Sequence, residues 1–201
     1  MAKKVSSKKV KQKEIEGVYA KTQNVVVSAN IHRDLPLEKL ATKLERAEYN
    51  PEQFPGLILK MEETATQPKA SALLFSSGKI ICTGTKSMRE ARKAVEAIVR
   101  KLEAIGLKVT GKPDMEVQNM VASGSVGGKL NLNEIVFKFE NTEYEPEQFP
   151  GLVYKLPDSH ITFLLFGTGK IVVTGAKSEK EIIESVYILR DQLRKGGELK
   201  T

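Results

Sequence analysis

The chain has 201 residues, 40% of them hydrophobic, and a formal net charge of +7, which is enough sequence for one or two domains with an ordinary core. It contains no apolar run near the length of a bilayer span and no signal peptide, so we expect no association with a membrane. The single cysteine, Cys82, excludes an internal disulfide and fits a reducing cytosol or nucleus.

The chain begins with a lysine-rich segment. Residues 1–20 contain six lysines and two glutamates and lack the apolar residues that build a core, so they are predicted to form a disordered tail. A nucleic-acid-binding arm is the alternative to a solvated tail. Because much of the net charge lies in this tail, charge alone does not identify the partner of the remaining chain.

Two long segments after the tail repeat each other. Residues 48–57 read EYNPEQFPGL and residues 143–152 read EYEPEQFPGL. At an offset of 95, residues 22–60 match residues 117–155 at 18 of 39 positions, and at an offset of 91, residues 73–90 match residues 164–181 at 11 of 18. The first copy therefore has four extra residues between Met61 and Ser71. Two copies are too few for a solenoid, so we predict a duplicated domain, with repeats at 21–112 and 113–195 and a short tail at 196–201.

Each repeat is predicted to read β-α-β-β-β-β-α. An alternating strand (22–30 and 117–125) is followed by a short amphipathic helix (near 35–46 and 130–140), the PEQFPGL turn with a strand, and a β-hairpin turned by Ser-Gly or Thr-Gly. Ser87 with Glu90, and Ser178 with Glu181, form capping boxes that begin a long closing helix. The hairpins indicate a largely antiparallel sheet, so the fold class is α+β.

The strands of this sheet have two apolar faces. In the first hairpin, Leu74 and Cys82 point to one face, while Leu73 and Ile81 point to the other. The four predicted helices can cover only one face, and the other face of an antiparallel sheet is normally polar. Here it is apolar, with scattered Asn, Thr and Ser and almost no charge, which indicates that a partner covers it.

Three kinds of partner could cover that face. A second sheet or a second subunit would not need amides and hydroxyls at equivalent positions, and a lipid would not accept them. A DNA minor groove has apolar sugar walls and, at A·T pairs, only acceptors on its floor, so it fits best. Phosphates would then bind flanking lysines, and apolar wedges would open base steps to kink the duplex. The predicted phosphate-binding lysines are Lys60, Lys79, Lys86, Lys155, Lys170 and Lys177, and the predicted wedges are Phe54, Phe75, Phe149 and Phe166.

The motifs QNVV, FSSGKIICTGTKS and EYNPEQFPGL, with QNMV, FGTGKIVVTGAKS and EYEPEQFPGL in the second copy, resemble those of the TATA-binding protein family of general transcription initiation factors. The resemblance covers about residues 21–195. It implies a saddle-shaped, internally duplicated, ten-stranded antiparallel sheet with four helices on the convex face and DNA under the concave face. The near-identical turns are typical of the archaeal type, which implies a cytoplasmic, nucleoid-associated protein; a eukaryotic member would be nuclear.

The resemblance also implies roles for individual residues. Two asparagines, helped by two threonines, would bond bases near the centre (Asn24, Asn119, Thr83, Thr174), and six aliphatic residues would line the groove (Val26, Val121, Leu73, Leu164, Ile81, Val172). The second turn would dock transcription factor B through Glu145, Glu147 and Gln148, and RNA polymerase would then join the assembly. Because a twofold-like surface barely distinguishes two orientations on a degenerate groove, polarity is expected to come from such partners.

Two alternative functions are weighed against DNA binding. An enzyme is disfavoured because His32 and His160 are not at equivalent positions and have no cysteine or carboxylate at metal-ligand spacing, so no metal or cofactor is predicted. Cys82 is predicted to face the helices as a structural thiol. A related scaffold that assembles proteins without binding DNA is disfavoured because both asparagines, both threonines and all four phenylalanines are present.

Overall fold

The two repeats fold into the same succession of elements, with two extra short strands in the second half. The structure, a computed structural model, describes residues 16–200. The first repeat contains β1 (Val18–Asn30), α1 (Leu37–Lys43), β2 (Ala47–Glu48), β3 (Leu57–Met61), β4 (Ala70–Leu74), β5 (Lys79–Thr85) and α2 (Met88–Ala104). The second contains β6 (Asp114–Val126), β7 (Lys129–Leu130), α3 (Leu132–Lys138), β8 (Thr142–Glu143), β9 (Leu152–Lys155), β10 (Thr162–Leu165), β11 (Lys170–Ala176), α4 (Glu179–Gly196) and β12 (Leu199–Lys200).

One ten-stranded antiparallel sheet joins the repeats, which confirms the predicted fold class. Its strand order is β2-β3-β4-β5-β1-β6-β11-β10-β9-β8. The opening strands β1 and β6 pair at the centre from Val18 with Val126 to Asn30 with Asp114. Because the remaining strands follow in the same order on either side, a pseudo-twofold axis passes between β1 and β6.

The helices and one face of the sheet enclose a single core. In α2, Ala91, Val95, Ile98 and Leu102 are buried at the predicted helical spacing, because an i, i+4, i+7 pattern places them on one side of the helix. The two short helices add two buried residues each to the same core. Among the described residues, no helix has both the length and the apolar character needed to cross a membrane.

The predicted caps of the long helices are present with one difference. The Oγ atoms of Ser87 and Ser178 accept hydrogen bonds from the N–H groups of Glu90 (3.2 Å) and Glu181 (3.1 Å). The glutamate side chains reach back to the N–H groups of Lys86 and Lys177, both at 2.8 Å, one residue before the cap. The two glutamates therefore bind a donor just outside the helix, whereas in a capping box they would bind the N–H of the serine itself.

The short helices are shorter than predicted. The pattern indicated helices near 35–46 and 130–140, but the chain is helical only over Leu37–Lys43 and Leu132–Lys138. Arg46 and Asn141 occupy equivalent positions and both have a φ of 59°, a left-handed conformation that an α-helix cannot contain. The chain turns there towards the edge strands β2 and β8.

The terminal boundaries also differ from the prediction. The predicted tail includes Val18–Ala20, but these residues belong to β1 because they pair with residues 124–126 of the equally long β6. Residues 196–201 were assigned to a second tail, but Gly196 ends α4 and Leu199–Lys200 pair with β7. The predicted disorder of residues 1–15 lies outside the described residues, and the predicted boundary at 112–113 falls in the segment between α2 and β6.

Candidate nucleic-acid interface

The face of the ten-stranded sheet opposite the helices, called here the open face, carries most of the predicted site. The period-2 prediction is confirmed: Leu74 and Cys82 are fully buried against the helices, while Leu73 and Ile81 are half-buried on the other face. Backbone pairing aligns Ile58, Leu73, Ile81 and Ser28 in one row across the first half of the open face. The second half repeats this row with Val153, Leu164, Val172 and Ser123.

Four of the six predicted groove-lining residues lie in these rows, together with residues that sequence reasoning missed. The other two, Val26 and Val121, also lie on the open face, because the residues on either side of each are buried against the helices. Ile58 and Val153 extend each row into β3 and β9. The period-2 alternation, if carried one strand further, would have identified both residues.

Each central strand contains a bulge that the sequence did not reveal. The β1–β6 register shifts between Thr22 and Asn24, and again opposite Gln118. A bulge places an extra residue on one strand and changes which side chains face outward. Gln23 and Gln118 are exposed there and donate to Ser123 Oγ (2.9 Å) and Ser28 Oγ (2.8 Å), respectively. These four polar residues join the open face beside the predicted asparagines.

The structure brings each predicted asparagine together with its threonine and a following glycine. Asn24 Oδ1 accepts from the N–H of Gly84 at 2.8 Å, and Asn24 Nδ2 donates to Thr83 Oγ1 at 3.0 Å. The second repeat copies this arrangement with Asn119, Thr174 and Gly175, at 2.8 Å and 3.2 Å. Because the backbone donor fixes the amide oxygen, the amide nitrogen is left with a second hydrogen for an outside acceptor.

The glycines in these two clusters have a conformation that favours glycine. Gly84 and Gly175 have φ values of +93° and +96°, and a Cβ on Gly175 would lie 2.0 Å from the carbonyl oxygen of His160. A side chain at Gly175 is therefore excluded on two grounds, strain and overlap. The glycine keeps its N–H directed at the asparagine and thereby sets the orientation of the amide.

The four predicted wedges form two equivalent pairs at the outer ends of the open face. Phe54 and Phe75 have ring centroids 6.0 Å apart and an interplanar angle of 66°, and Phe149 and Phe166 have 6.0 Å and 68°. Phe54 and Phe149 are 38% and 44% exposed, which is unusual for rings that could enter a core. Each pair lies against a glycine backbone: a Cβ on Gly56 would be 2.7 Å from the Phe54 ring.

The six predicted phosphate-binding lysines are all exposed, but several are engaged within the protein. Lys60 and Lys155 form equivalent ion pairs with Glu48 (3.1 Å) and Glu143 (3.4 Å) on the neighbouring strands. Lys177 lies 3.9 Å from Glu116, and Lys170 donates to the hydroxyl of Tyr19 at 2.7 Å. The neighbouring glutamates would compete with phosphates for the ammonium groups of Lys60, Lys155 and Lys177.

The predicted partner-binding residues lie on the second PEQFPGL turn. Glu145, Glu147 and Gln148 are exposed. The carbonyl oxygen of Glu145 accepts from the N–H groups of Gln148 and Phe149, both at 3.0 Å. The backbone therefore holds the turn and leaves both carboxylates directed to solvent.

The cysteine and the two histidines do not lie in the surroundings of a catalytic site. Cys82 is fully buried on the helix side of β5, as predicted, and burial raises the pKa of its thiol to about 11, so the thiol stays protonated at neutral pH. His32 Nε2 lies 2.6 Å from Asp114 Oδ2, while the carbonyl of His160 faces Gly175. Among the described residues, no three His, Cys, Asp or Glu side chains cluster as a metal site.

The sequence is similar to those of known proteins. A sequence model of the family described as "Transcription factor TFIID (or TATA-binding protein, TBP)" matches residues 20–105 and 114–196. The chain is 48% identical over 179 residues to the TATA-box-binding protein of Archaeoglobus fulgidus, covering 88% of this chain and 96% of that protein. It is 45% identical over 184 residues to the protein of the same name from Pyrobaculum calidifontis, covering 92% and 90%.

A solved structure described as Methanococcus jannaschii TBP is similar in three dimensions. It matches with a TM-score of 0.81 and 45% sequence identity, covering 88% of this chain and 98% of that one. The two stretches matched by the family correspond to the two repeats, and the segment between them is the connection from α2 to β6.

Proposed function

The chain belongs to the TATA-binding protein family and has its α+β saddle fold, and on that premise we propose that it is a general transcription initiation factor. It binds the minor groove of A·T-rich promoter DNA with the open face of its sheet. The observation that carries this proposal is the pair of asparagine clusters at the centre of an apolar face, repeated about a pseudo-twofold axis.

The chemistry of these clusters suits an A·T minor groove. Its floor presents only the acceptors of adenine and thymine, whereas a G·C pair adds an amino donor. Asn24 and Asn119 each offer an amide hydrogen to an acceptor, and the aliphatic rows around them suit the sugar walls. A guanine amino group would meet amide hydrogens and methyl groups, so its donor would be left unbonded.

The phenylalanine pairs supply the second part of the mechanism. Each pair is partly exposed at one end of the open face. Insertion of these apolar rings between base steps would unstack the DNA and kink it at two sites. The bent groove would then follow the width of the sheet and contact both aliphatic rows.

A comparison of duplexes tests the proposed function. We expect a duplex with an A·T-rich core to bind at least about a hundredfold more tightly than one with a G·C-rich core. Each A·T pair of the site that is replaced by a G·C pair should cost about 1–3 kcal/mol of binding free energy. Fluorescence anisotropy at a fixed salt concentration measures both dissociation constants. Equal affinities, or no binding by either duplex, would favour a scaffold that assembles proteins without promoter DNA.

The salt dependence of the same equilibrium tests the lysines. If about six phosphates are neutralised, the slope of log K against log salt should be near −5, and Lys79→Ala should reduce its magnitude by about one. Titrations between 50 and 300 mM salt would measure the slope. Lys93→Ala is the matched control, because Lys93 is exposed on α2 at the helix side, and it should leave the slope unchanged.

We further propose that the protein recruits transcription factor B through the second PEQFPGL turn and thereby RNA polymerase. The proposal rests on family membership and on the exposure of Glu145, Glu147 and Gln148 at a turn held by its backbone. That turn lies at one end of the sheet, so a bound partner would leave the asparagine clusters free for DNA.

A further inference from the structure

The two sides of the open face differ in charge although the repeats are nearly equivalent in structure. One side, where β1 ends and β6 begins, is called here the mixed side; the other, where β1 begins and β6 ends, is the basic side. The offsets of the two repeats relate every position on one side to a position on the other. The mixed side carries Lys79, Lys177, Asp114 and Glu116, and the equivalent positions on the basic side carry Lys170, Lys86, Tyr19 and Lys21.

Backbone pairing places these residues on the open face. Glu116 pairs with Ser28 and Asp114 pairs with Asn30, while Lys21 pairs with Ser123. Ser28 and Ser123 belong to the two rows that cross the open face, so Glu116 and Lys21 face outward at equivalent places beyond each bulge. The carboxylates of Asp114 and Glu116 therefore stand where Tyr19 and Lys21 stand on the opposite side.

Contacts within each side increase the difference. Glu116 lies 3.9 Å from Lys177, so the carboxylate partly neutralises a lysine that is equivalent to Lys86. On the basic side, Lys170 donates to the hydroxyl of Tyr19 at 2.7 Å, an uncharged acceptor that leaves the ammonium charge available. On the mixed side two lysines are offset by two carboxylates, whereas the equivalent positions of the basic side hold three lysines.

Neighbouring charged groups reduce this difference. Glu179 borders the pocket that Lys21 and Lys86 line, but it belongs to α4 and approaches from the helix side. His32 contacts Asp114 on the mixed side, and the residue equivalent to His32 is Gly127. Two exposed residues oppose the difference, namely Glu16, which precedes β1 on the basic side, and Lys112, which precedes β6 on the mixed side. The difference therefore rests on the positions that face outward within the central strands, where Lys21 stands opposite Glu116 and Tyr19 opposite Asp114.

We propose that this charge difference orients the protein on DNA, with the more negative phosphate strand along the basic side. The proposal rests on the proposed minor-groove binding. Rotation of the protein by 180° about its pseudo-twofold axis exchanges the two DNA strands between the two sides. The two orientations have equal energy on a symmetric duplex and different energies wherever the strand along one side presents a more negative potential than the strand along the other. Asp114 and Glu116 are then specificity-determining residues, and polarity does not come from partners alone.

A duplex with one partly neutral strand tests the orientation. Each duplex has a self-complementary A·T core and a short patch of uncharged methylphosphonates in one strand only. A set of duplexes places this patch at successive positions along that strand. Iron–EDTA attached at Glu52→Cys, on the exposed first turn, cleaves the DNA end that lies beside the first repeat; the buried Cys82 does not react. The unmodified duplex should show both orientations equally. For at least one patch position, we expect about a fivefold excess of the orientation that places the neutral strand on the mixed side.

A charge-exchange variant provides the decisive comparison. Lys21→Glu combined with Glu116→Lys keeps the total charge and should reverse the preference on the same duplexes. Asp114→Asn combined with Glu116→Gln should reduce it. A preference that is absent at every patch position, or unchanged in the exchange variant, would overturn the inference while leaving minor-groove binding intact. Failure to bind the unmodified duplex would overturn both.

Discussion

Replacement of Phe149 by alanine is expected to leave the protein nearly as stable as the wild type and to remove most of the DNA bend at that end. Phe149 is 44% exposed, so its truncation removes less buried area than the truncation of a fully buried ring. Within the free protein the truncation also removes the edge-to-face contact with Phe166, which is worth about 0.5–1.5 kcal/mol beyond the buried area. In the complex, the loss is larger because unstacking of a base step is compensated only by the inserted ring.

The measurement separates stability from bending. Calorimetry of Phe149→Ala should show a decrease in melting temperature of about 2–4 °C for each kcal/mol lost. Energy transfer between dyes on the two ends of an A·T-rich duplex should show a smaller bend, and the affinity should fall. Phe166→Ala should behave alike, with a somewhat larger loss of stability because that ring is half-buried.

Phe163 is a matched control in the same repeat. Its ring is fully buried and stacks on Tyr154, with centroids 6.5 Å apart. Phe163→Ala should cost about 3–5 kcal/mol through lost burial and a cavity, and Leu165→Ala about 2–5 kcal/mol. The fraction of either variant that remains folded should bend DNA normally. If Phe149→Ala melts as low as Phe163→Ala and bends DNA fully, the assignment of Phe149 as a wedge is wrong.

Much of the fold could be predicted because it depends on local sequence patterns that occur in both repeats. The period-2 alternation around Leu73 and Ile81 identified the open face, and the serines at 87 and 178 identified the starts of the long helices. The family resemblance is likewise confirmed by the comparisons. Repetition removed the ambiguity that one copy of each pattern would have left.

The features that sequence reasoning missed depend on pairing between distant residues. The bulges at Gln23 and Gln118 are shifts in the register between β1 and β6, and no local sequence pattern indicates such a shift. The strand β12 forms because Leu199 pairs with Leu130, and its neighbour Glu198, fully buried, forms an ion pair with Lys138. The pairing of Lys60 with Glu48 and the charge difference across the open face also required the register.

The two PEQFPGL turns are identical, but the residue that precedes each turn differs, and that difference bears on partner binding. In the first turn, Asn50 Oδ1 accepts from the N–H of Glu52 at 3.2 Å, so the side chain is used within the turn. Glu145 occupies the equivalent position in the second turn, where its carboxylate is exposed. The second turn therefore presents two carboxylates, Glu145 and Glu147, where the first presents only Glu52.

Charge reversal of that pair is expected to abolish the complex with transcription factor B on DNA. Glu145→Lys combined with Glu147→Lys should weaken ternary assembly at least about a hundredfold, because loss of close charge pairs across an interface costs about 2–5 kcal/mol each. A mobility-shift titration of the factor against the preformed protein–DNA complex measures this. Affinity for DNA alone should stay near the wild-type value, since both side chains lie outside the open face. Asn50→Lys combined with Glu52→Lys adds as many lysines to the first turn and should spare the ternary complex. If this variant also lost the ternary complex, the second turn would not be the specific binding site of the partner.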